Sequence, residues 1–291
     1  MSKKPDALWL STSPNLQCFA RPLLCYLSRQ VTIDRWEYCH QDEPSSLDVP
    51  ILLLHNYLKS CNQPVHLIGH STGGLLGLLY ARRYPETVKS LTLLAVGVDP
   101  AIDWQALYYD HCPFLSRQKI LNAMVYNVFG YHDARTIKRM SSILERDLDC
   151  SSPNSLFQRL SVPPGGVPVP LMVCGSLDDI IVKPDAIQEW RPWLKEGDRL
   201  WECLKGRHFF HFFQPALVGE QMLHFWKSLH QSNWLYGELT FNPTTTYNCS
   251  DKRLTNSACS GEFNPDCNTA STFAISPASN AGTGNHKPGN T

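Results

Sequence analysis

The sequence predicts an α/β fold with a mostly parallel central sheet of about six strands and helices on both faces. Short apolar, β-branched runs alternate with segments of helical periodicity, which is typical of parallel strands joined through helices. Several of the strand runs are apolar almost throughout, as expected for strands covered on both sides. The predicted strands are residues 7–11, 31–38, 64–69, 90–97, 169–175 and 198–204.

Helical periodicity follows most of the predicted strands. The second and third strands are followed by segments 45–60 and 73–85, and the latter ends at Pro85. The fifth and sixth are followed by segments 184–195 and 214–230. The first three of these segments each connect two predicted strands and are long enough for the crossover between parallel strands.

Residues 99–166 interrupt the alternation, because they carry helical periodicity without a convincing strand. We predict a helical lid here, inserted after the fourth strand and dividing a core of residues 1–98 and 167–232. Trp104, Tyr108 and Phe129 are candidates for an aromatic wall of a substrate pocket, although ordinary packing of the lid on the core is the more common reason for such residues, and the two roles are compatible. From residue 233 to residue 291 the composition shifts to Asn, Thr, Ser, Pro and Gly, which predicts a disordered tail.

Composition narrows the classes of partner. Lys and Arg number 26, as do Asp and Glu, so no basic excess points to nucleic acid or to an anionic membrane surface. The apolar runs are far shorter than the roughly 20 residues of a membrane-spanning helix. The first residues lack the apolar stretch of a secretory signal, so we expect a cytoplasmic protein. No CxxC pair occurs among the 11 cysteines, which argues against a zinc site.

The stretch Gly69-His70-Ser71-Thr72-Gly73 matches the G-x-S-x-G pattern of a nucleophile elbow. An apolar strand precedes it and a helical segment follows it, which is the context that this motif requires. Turning from strand to helix at one residue strains the backbone at the serine, and side chains at the flanking glycines would clash. The alternative is that Ser71 only caps the helix.

A nucleophilic serine needs a base and an acid that orients the base. His208 follows the last strand and a glycine, so it lies at the sheet edge where the other strands end. His211 is the nearest rival but sits in an aromatic run typical of packing, and His70 is placed to line the pocket. Asp178, just beyond the fifth strand, is the preferred acid, and Asp99 after the fourth strand is the alternative. Asp179 is expected to face away from Asp178 and to cap the next turn.

Three stretches resemble the lid-bearing α/β-hydrolases over roughly residues 7–230. They are VHLIGHSTGGLLGLLYARRYPETVKSLTLLAVG, VPLMVCGSLDDIIV and GRHFFHFFQPALVGEQMLHFW. The resemblance implies a Ser-Asp-His triad in that chain order, formed here by Ser71, Asp178 and His208, with no metal or organic cofactor.

Two features depart from that family. Its members usually carry a His-Gly pair after the first parallel strand, where this chain has LWLSTSPNLQ. By position, Ser13 or Thr12 supplies one backbone N–H of the oxyanion hole and Thr72 the other. Because the usual glycine is missing, the sequence leaves open whether the hole has its usual geometry. Only six residues precede the first predicted strand, so we also expect this chain to lack the N-terminal antiparallel strands that are common in the family.

These features predict a serine hydrolase that cleaves an ester, thioester or related acyl bond of a small, apolar substrate. A carbon–carbon bond hydrolase or lyase using the same triad is one alternative. A binding or receptor protein that kept the fold and lost efficient catalysis is the other, and the missing glycine favours it.

Overall fold

A single sheet of six parallel strands forms the centre of the molecule in the order β2-β1-β3-β4-β5-β6. The computed structural model describes residues 4–38, 48–99, 102–111, 114–150 and 162–237. The strands are β1 Ala7–Ser11, β2 Ile33–Glu37, β3 Val65–His70, β4 Val88–Leu94, β5 Leu171–Ser176 and β6 Arg199–Cys203. Each predicted strand overlaps one of these, so the predicted α/β class and the parallel sheet are confirmed.

Successive residues of a strand face opposite sides of the sheet, and both sides are buried. In β1, Leu8 and Leu10 belong to the larger apolar cluster, while Ala7 and Trp9 belong to the smaller one on the other face. This explains why the four inner strands are apolar almost throughout, whereas the edge strand β2 exposes Asp34, Arg35 and Glu37.

Helices cover both faces. They are α1 Gln17–Leu27, α2 Asp48–Cys61, α3 Thr72–Arg83, α4 Trp104–His111, α5 Arg117–Phe129, α6 Ala134–Asp149, α7 Pro184–Gln188, α8 Phe210–Phe213 and α9 Pro215–Gly237. Among the helices of the described residues, none combines the length and the apolar character of a bilayer span.

Helix α1 is not predicted by the sequence patterns. Pro22 lies inside it and lacks the N–H that a helix interior uses, so this segment resembles a loop in sequence. The helix nevertheless forms because Phe19, Leu23 and Leu27 are spaced to bury one face in the core, where α1 lies against α8 and α9.

Between β4 and β5 the structure contains α4, α5 and α6, in agreement with the predicted helical character of this region. Residues 151–161 of the predicted helical region lie outside the described residues. At the other end of the chain, α9 runs to Gly237, so residues 233–237 are helical rather than part of the predicted tail. Residues 238–291 lie outside the described ranges.

The register of the sheet brings two loops together. Leu10 of β1 pairs with Gly69 of β3, so both strands end at the same level. The chain after β1, which begins at Thr12, therefore emerges beside Ser71 at the carboxyl edge of the sheet, where open α/β folds bind ligands.

Candidate active site

Ser71 sits on a strained turn between β3 and α3. Its φ of 48° and ψ of −123° lie in a region that residues with a side chain rarely occupy. Its backbone N–H donates to the carbonyl of Leu94, and its carbonyl accepts from Leu75 N, each at 3.0 Å. The hydroxyl makes no cap hydrogen bond, and Oγ is buried without a partner among the described residues. The helix-cap alternative therefore does not explain this serine.

The glycines of the elbow are required by close approach of backbone atoms. A Cβ on Gly69 would lie 2.5 Å from the carbonyl oxygen of Gly73, and a Cβ on Gly73 would meet the carbonyl oxygen of Leu10. The start of α3 thus packs directly on the ends of β3 and β1, which fixes the position of Ser71.

His208 lies in the loop after β6 and is fully buried. Its Nδ1 lies 3.0 Å from Oδ2 of Asp179, and both side chains are excluded from solvent. The other oxygen of Asp179 accepts backbone N–H bonds from Ile181 at 2.8 Å and Val182 at 3.2 Å. The carboxylate is therefore held in place, and it holds the imidazole with Nε2 as its remaining polar atom. That Nε2 is buried and has no hydrogen-bond partner within the described part of the chain.

Asp178, the acid preferred from the sequence, does not contact the imidazole in this structure. Asp179 N donates to Ser176 O at 3.1 Å, so residues 176–179 form a turn that directs consecutive side chains to different sides. Asp178 instead accepts from Ser176 Oγ at 2.7 Å and from Arg207 N at 2.8 Å. The choice of Asp178 as the partner of His208 is thus corrected to Asp179, while Asp178 anchors the loop that carries His208. Asp99, the alternative acid from the sequence, is exposed to solvent.

His70 supports that loop from the elbow side. Its Nε2 lies 2.9 Å from the carbonyl oxygen of His208, and the two rings are 4.7 Å apart. A carbonyl only accepts, so Nε2 of His70 carries the proton. Burial, together with the neighbouring His211 and His208 rings, holds the pKa of His70 well below its usual value, which keeps this imidazole neutral.

A cavity of about 40 Å³ adjoins Ser71, enough for about three water molecules. Its wall includes Ser71 itself and four other predicted site residues, namely His70, Thr72, Ser13 and Trp104. The predicted pocket residues Tyr108 and Phe129 do not line it. Tyr108 is buried in the main apolar cluster, and Phe129 packs its ring on Phe19 at 4.7 Å. For these two aromatics, packing is the better interpretation.

The chain after β1 supplies the other side of the cavity. Ser13 has φ −127° and ψ 86°, and Thr12 is not among the residues with positive φ, so neither position demands a glycine. Ser13 N makes only a long contact of 3.4 Å with Ser11 Oγ, which leaves this N–H available to a stronger acceptor. The hydroxyls of Thr12 and Thr72 hydrogen-bond at 2.7 Å and tie this loop to the elbow.

For the hydrolase predicted from the sequence, we therefore expect Thr12→Gly to lower turnover of an ester about tenfold rather than raise it, because the substitution removes the bond to Thr72 and loosens the loop. Thr12→Ser keeps the hydroxyl and should stay within about threefold of the wild type. Steady-state kcat/KM on one short-chain ester measures both. A gain of activity in the glycine variant would mean that the missing family glycine is a real defect.

A buried carboxyl outside the predicted site packs near the Ser13 loop. Asp147 of α6 is 1% exposed and accepts from Gln105 Nε2 at 3.0 Å. Burial raises the pKa of Asp147 to about 7, with a smaller contribution from the Asp103 carboxyl. Hydrogen bonds from Gln105 and from the Ser13 side chain oppose the shift. Nearby, Asn15 Nδ2 donates to Arg146 O at 3.3 Å, so α6 is joined to the loop after β1.

This carboxyl makes stability depend on pH. Its folded pKa lies above its unfolded value, so the folded state holds a proton that the unfolded state has released between about pH 4 and 7. Stability is therefore lost as the pH rises through this window, by roughly 2 to 4 kcal/mol. Asp147→Asn should remove this loss, so that urea unfolding at pH 8 shows a more stable protein than the wild type. Asp149→Asn, at an exposed position paired with Arg117, is the control, and an equal effect there would refute the assignment.

Comparisons with known proteins agree with this architecture. A family model described as the alpha/beta hydrolase fold matches residues 59–165. The uncharacterized protein alr2406 of Nostoc sp. is 47% identical over 235 residues, which are 79% of this chain and 94% of that protein. A hydrolase from Pseudomonas aeruginosa superposes with a TM-score of 0.62 at 15% identity, covering 77% of this chain and 91% of its own. The enol-lactonase from Burkholderia xenovorans gives 0.59 at 16% identity, covering 77% and 92%.

The fold, the nucleophile elbow and these matches lead to one assignment: the chain belongs to the α/β-hydrolase fold family.

Proposed function

We propose that this chain is a serine hydrolase that cleaves an ester, thioester or related acyl bond of a small substrate. One observation carries the proposal. Ser71 is held on a strained turn with a buried, unpartnered hydroxyl, and the buried His208–Asp179 pair leaves Nε2 of His208 unpartnered in the same region. A buried polar atom without a hydrogen-bond partner lowers the stability of the protein. Two such atoms, a serine hydroxyl and an imidazole nitrogen, are therefore better explained by a catalytic role, in which the serine bonds the acyl group and the imidazole takes its proton.

The reaction follows from these groups. Ser71 Oγ attacks the acyl carbon while His208 Nε2 takes the hydroxyl proton, and the carbonyl oxygen becomes an oxyanion. Backbone N–H groups of Thr72 and Ser13 stabilise that charge. Collapse breaks the bond to the leaving alcohol or thiol, which receives the proton from His208. A water molecule then attacks the acyl-enzyme in the same manner, which releases the carboxylic acid and restores Ser71.

Asp179 takes no proton in this scheme. Its carboxylate accepts from Nδ1–H of His208, which directs Nε2 towards the reacting atoms and stabilises the imidazolium that forms. Asp178 and His70 act through His208, since one binds the backbone of its loop and the other binds its carbonyl.

Helices α4 to α6 are proposed as the lid. Trp104, the first residue of α4, lines the cavity beside Ser71. A substrate that reaches Ser71 therefore meets this helix, and movement of α4 would control its access to the cavity.

A binding protein with weak catalysis is the second candidate. The observation in its favour is that Ser71 Oγ and His208 Nε2, both buried, do not hydrogen-bond to each other. Catalytic hydrogen bonds often tighten only when substrate is bound, so we give the hydrolase precedence. A carbon–carbon bond hydrolase or lyase would use the same residues, and it would turn over acyl esters poorly.

Stopped-flow hydrolysis of p-nitrophenyl esters from acetate to dodecanoate separates these functions. The proposal predicts steady turnover, preceded on the best substrate by release of up to one equivalent of p-nitrophenol per chain as the acyl-enzyme forms. Folded protein that binds these esters without hydrolysing any of them would favour the binding protein instead.

A further inference from the structure

One polar atom of the cavity wall has no role in the proposed reaction. His211 of α8 lines the cavity, is 1% exposed, and its Nδ1 has no hydrogen-bond partner among the described residues. A buried polar atom left without a partner costs about 1–3 kcal/mol. Ser71 Oγ and His208 Nε2 are also buried without a hydrogen-bond partner, but the proposed reaction provides partners for both. His211 needs a different partner, and the cavity is the space that adjoins its ring.

The ring is held firmly and is uncharged. It packs against Trp9 at 5.7 Å, His70 at 4.5 Å and Phe209 at 5.7 Å between ring centres. Burial, with a smaller contribution from His208, lowers the pKa of His211 to about 3. At neutral pH the imidazole is therefore neutral, with one N–H donor and one acceptor nitrogen.

The rest of the wall is polar but carries no formal charge. The uncharged polar residues Ser11, Thr12, Ser13 and Gln17 line it together with His70 and His211. Within the described chain, no Lys, Arg, Asp or Glu side chain lines this cavity. A charged ligand group would lose its hydration here without gaining a counterion, whereas a neutral hydrogen-bonding group would be satisfied.

We propose that His211 determines specificity by hydrogen-bonding a neutral hydroxyl of the substrate close to the scissile acyl bond. The substrate class is then a short hydroxylated ester. This inference rests on the proposed function. It departs from the apolar substrate predicted from the sequence, because Tyr108 and Phe129 belong to the packed interior and polar side chains form much of the wall.

The test measures binding in a full-length Ser71→Ala background, so that it does not depend on turnover. Trp9 and Trp104 line the cavity, and their fluorescence reports the titration. The probes are ethyl butyrate, ethyl 2-hydroxybutyrate, ethyl 3-hydroxybutyrate and 2-hydroxyethyl butyrate. Monoethyl succinate serves as the anionic probe. At least one hydroxylated ester should bind about tenfold more tightly than ethyl butyrate, as expected for one hydrogen bond to a buried group.

Adding His211→Phe should abolish that preference, so that the hydroxylated ester and ethyl butyrate bind about equally, because the phenyl ring retains the packing and loses both nitrogens. His211→Asn places a polar atom near the position of Nδ1 and should restore part of the preference. His224→Phe, at an exposed position of α9, should leave it unchanged. Equal binding of all neutral esters, a preference that survives His211→Phe, or tightest binding of monoethyl succinate would overturn the proposal.

The two proposals fail in different ways. If the wild-type protein hydrolyses no ester but the hydroxyl preference is present and depends on His211, the binding site stands and the hydrolase assignment does not. If ester turnover is observed but no hydroxyl preference exists, only the role of His211 is refuted.

Discussion

Asp179→Asn is expected to lower kcat on an ester substrate by about 10³- to 10⁴-fold, whereas Asp178→Asn should cost at most about tenfold. The asparagine keeps the shape of the side chain but removes the negative charge. Its NH₂ group can also face Nδ1 of His208, which would favour the tautomer that carries the proton on Nε2. In that tautomer the lone pair is on Nδ1, so Nε2 cannot accept the proton of Ser71.

Asp178→Asn provides a matched control because the two residues are adjacent and chemically identical. Its carboxylate binds Ser176 Oγ and Arg207 N rather than the imidazole, so its loss weakens the loop without changing the tautomer. Steady-state kcat and circular dichroism of both variants make the comparison. If Asp178→Asn were the more damaging change with both proteins folded, the assignment of Asp179 would be wrong.

Ser71→Ala should reduce kcat by about 10⁵-fold or more, to the level of the uncatalysed reaction plus what the remaining groups supply. No other hydroxyl can replace it, since only residue 71 occupies the strained turn at the start of α3. The measurement is turnover of the best p-nitrophenyl ester at saturating concentration, with binding checked separately.

Ser13→Ala is the control for this second prediction. Ser13 lines the same cavity, but its proposed contribution is the backbone N–H, which the alanine retains. Its kcat should therefore fall at most about tenfold, mainly through the lost side-chain contact with Asp147. A loss as large as that of Ser71→Ala would show that a serine hydroxyl other than Ser71 takes part in the chemistry.

Much of this structure is predictable from the sequence because apolar strand runs alternate with segments of clear helical periodicity. Apolar runs identify the six strands, and the position of Ser71 and His208 after strand ends brings them to one edge of the sheet. The elbow is also predictable, since its glycines are required by backbone contacts that any such turn must make.

The errors arise where a local turn or tertiary packing decides. Choosing between Asp178 and Asp179 requires knowing that residues 176–179 form a hydrogen-bonded turn, although the Asp-Asp pair itself marks the region. Helix α1 is hidden by Pro22, because burial of its apolar face outweighs the cost of the missing N–H. The unpartnered nitrogen of His211 depends on contacts between distant segments, which the aromatic run around it conceals.

The loop after β1 is another place where the sequence alone does not decide the structure. The absence of the family glycine in LWLSTSPNLQ is visible in the sequence, but its consequence depends on backbone angles. A negative φ at Ser13 removes the need for glycine there, and the Thr12–Thr72 bond gives the loop a support that sequence patterns do not reveal.

Labelling with a fluorophosphonate probe tests most directly whether Ser71 is the nucleophile. The folded protein should form one covalent adduct, located by mass spectrometry in the tryptic peptide of residues 60–82, and fragmentation should assign it to Ser71 rather than Ser60. The adduct should disappear in Ser71→Ala and form much more slowly in Asp179→Asn. No adduct on the folded protein, or an adduct that persists in Ser71→Ala, would contradict the account.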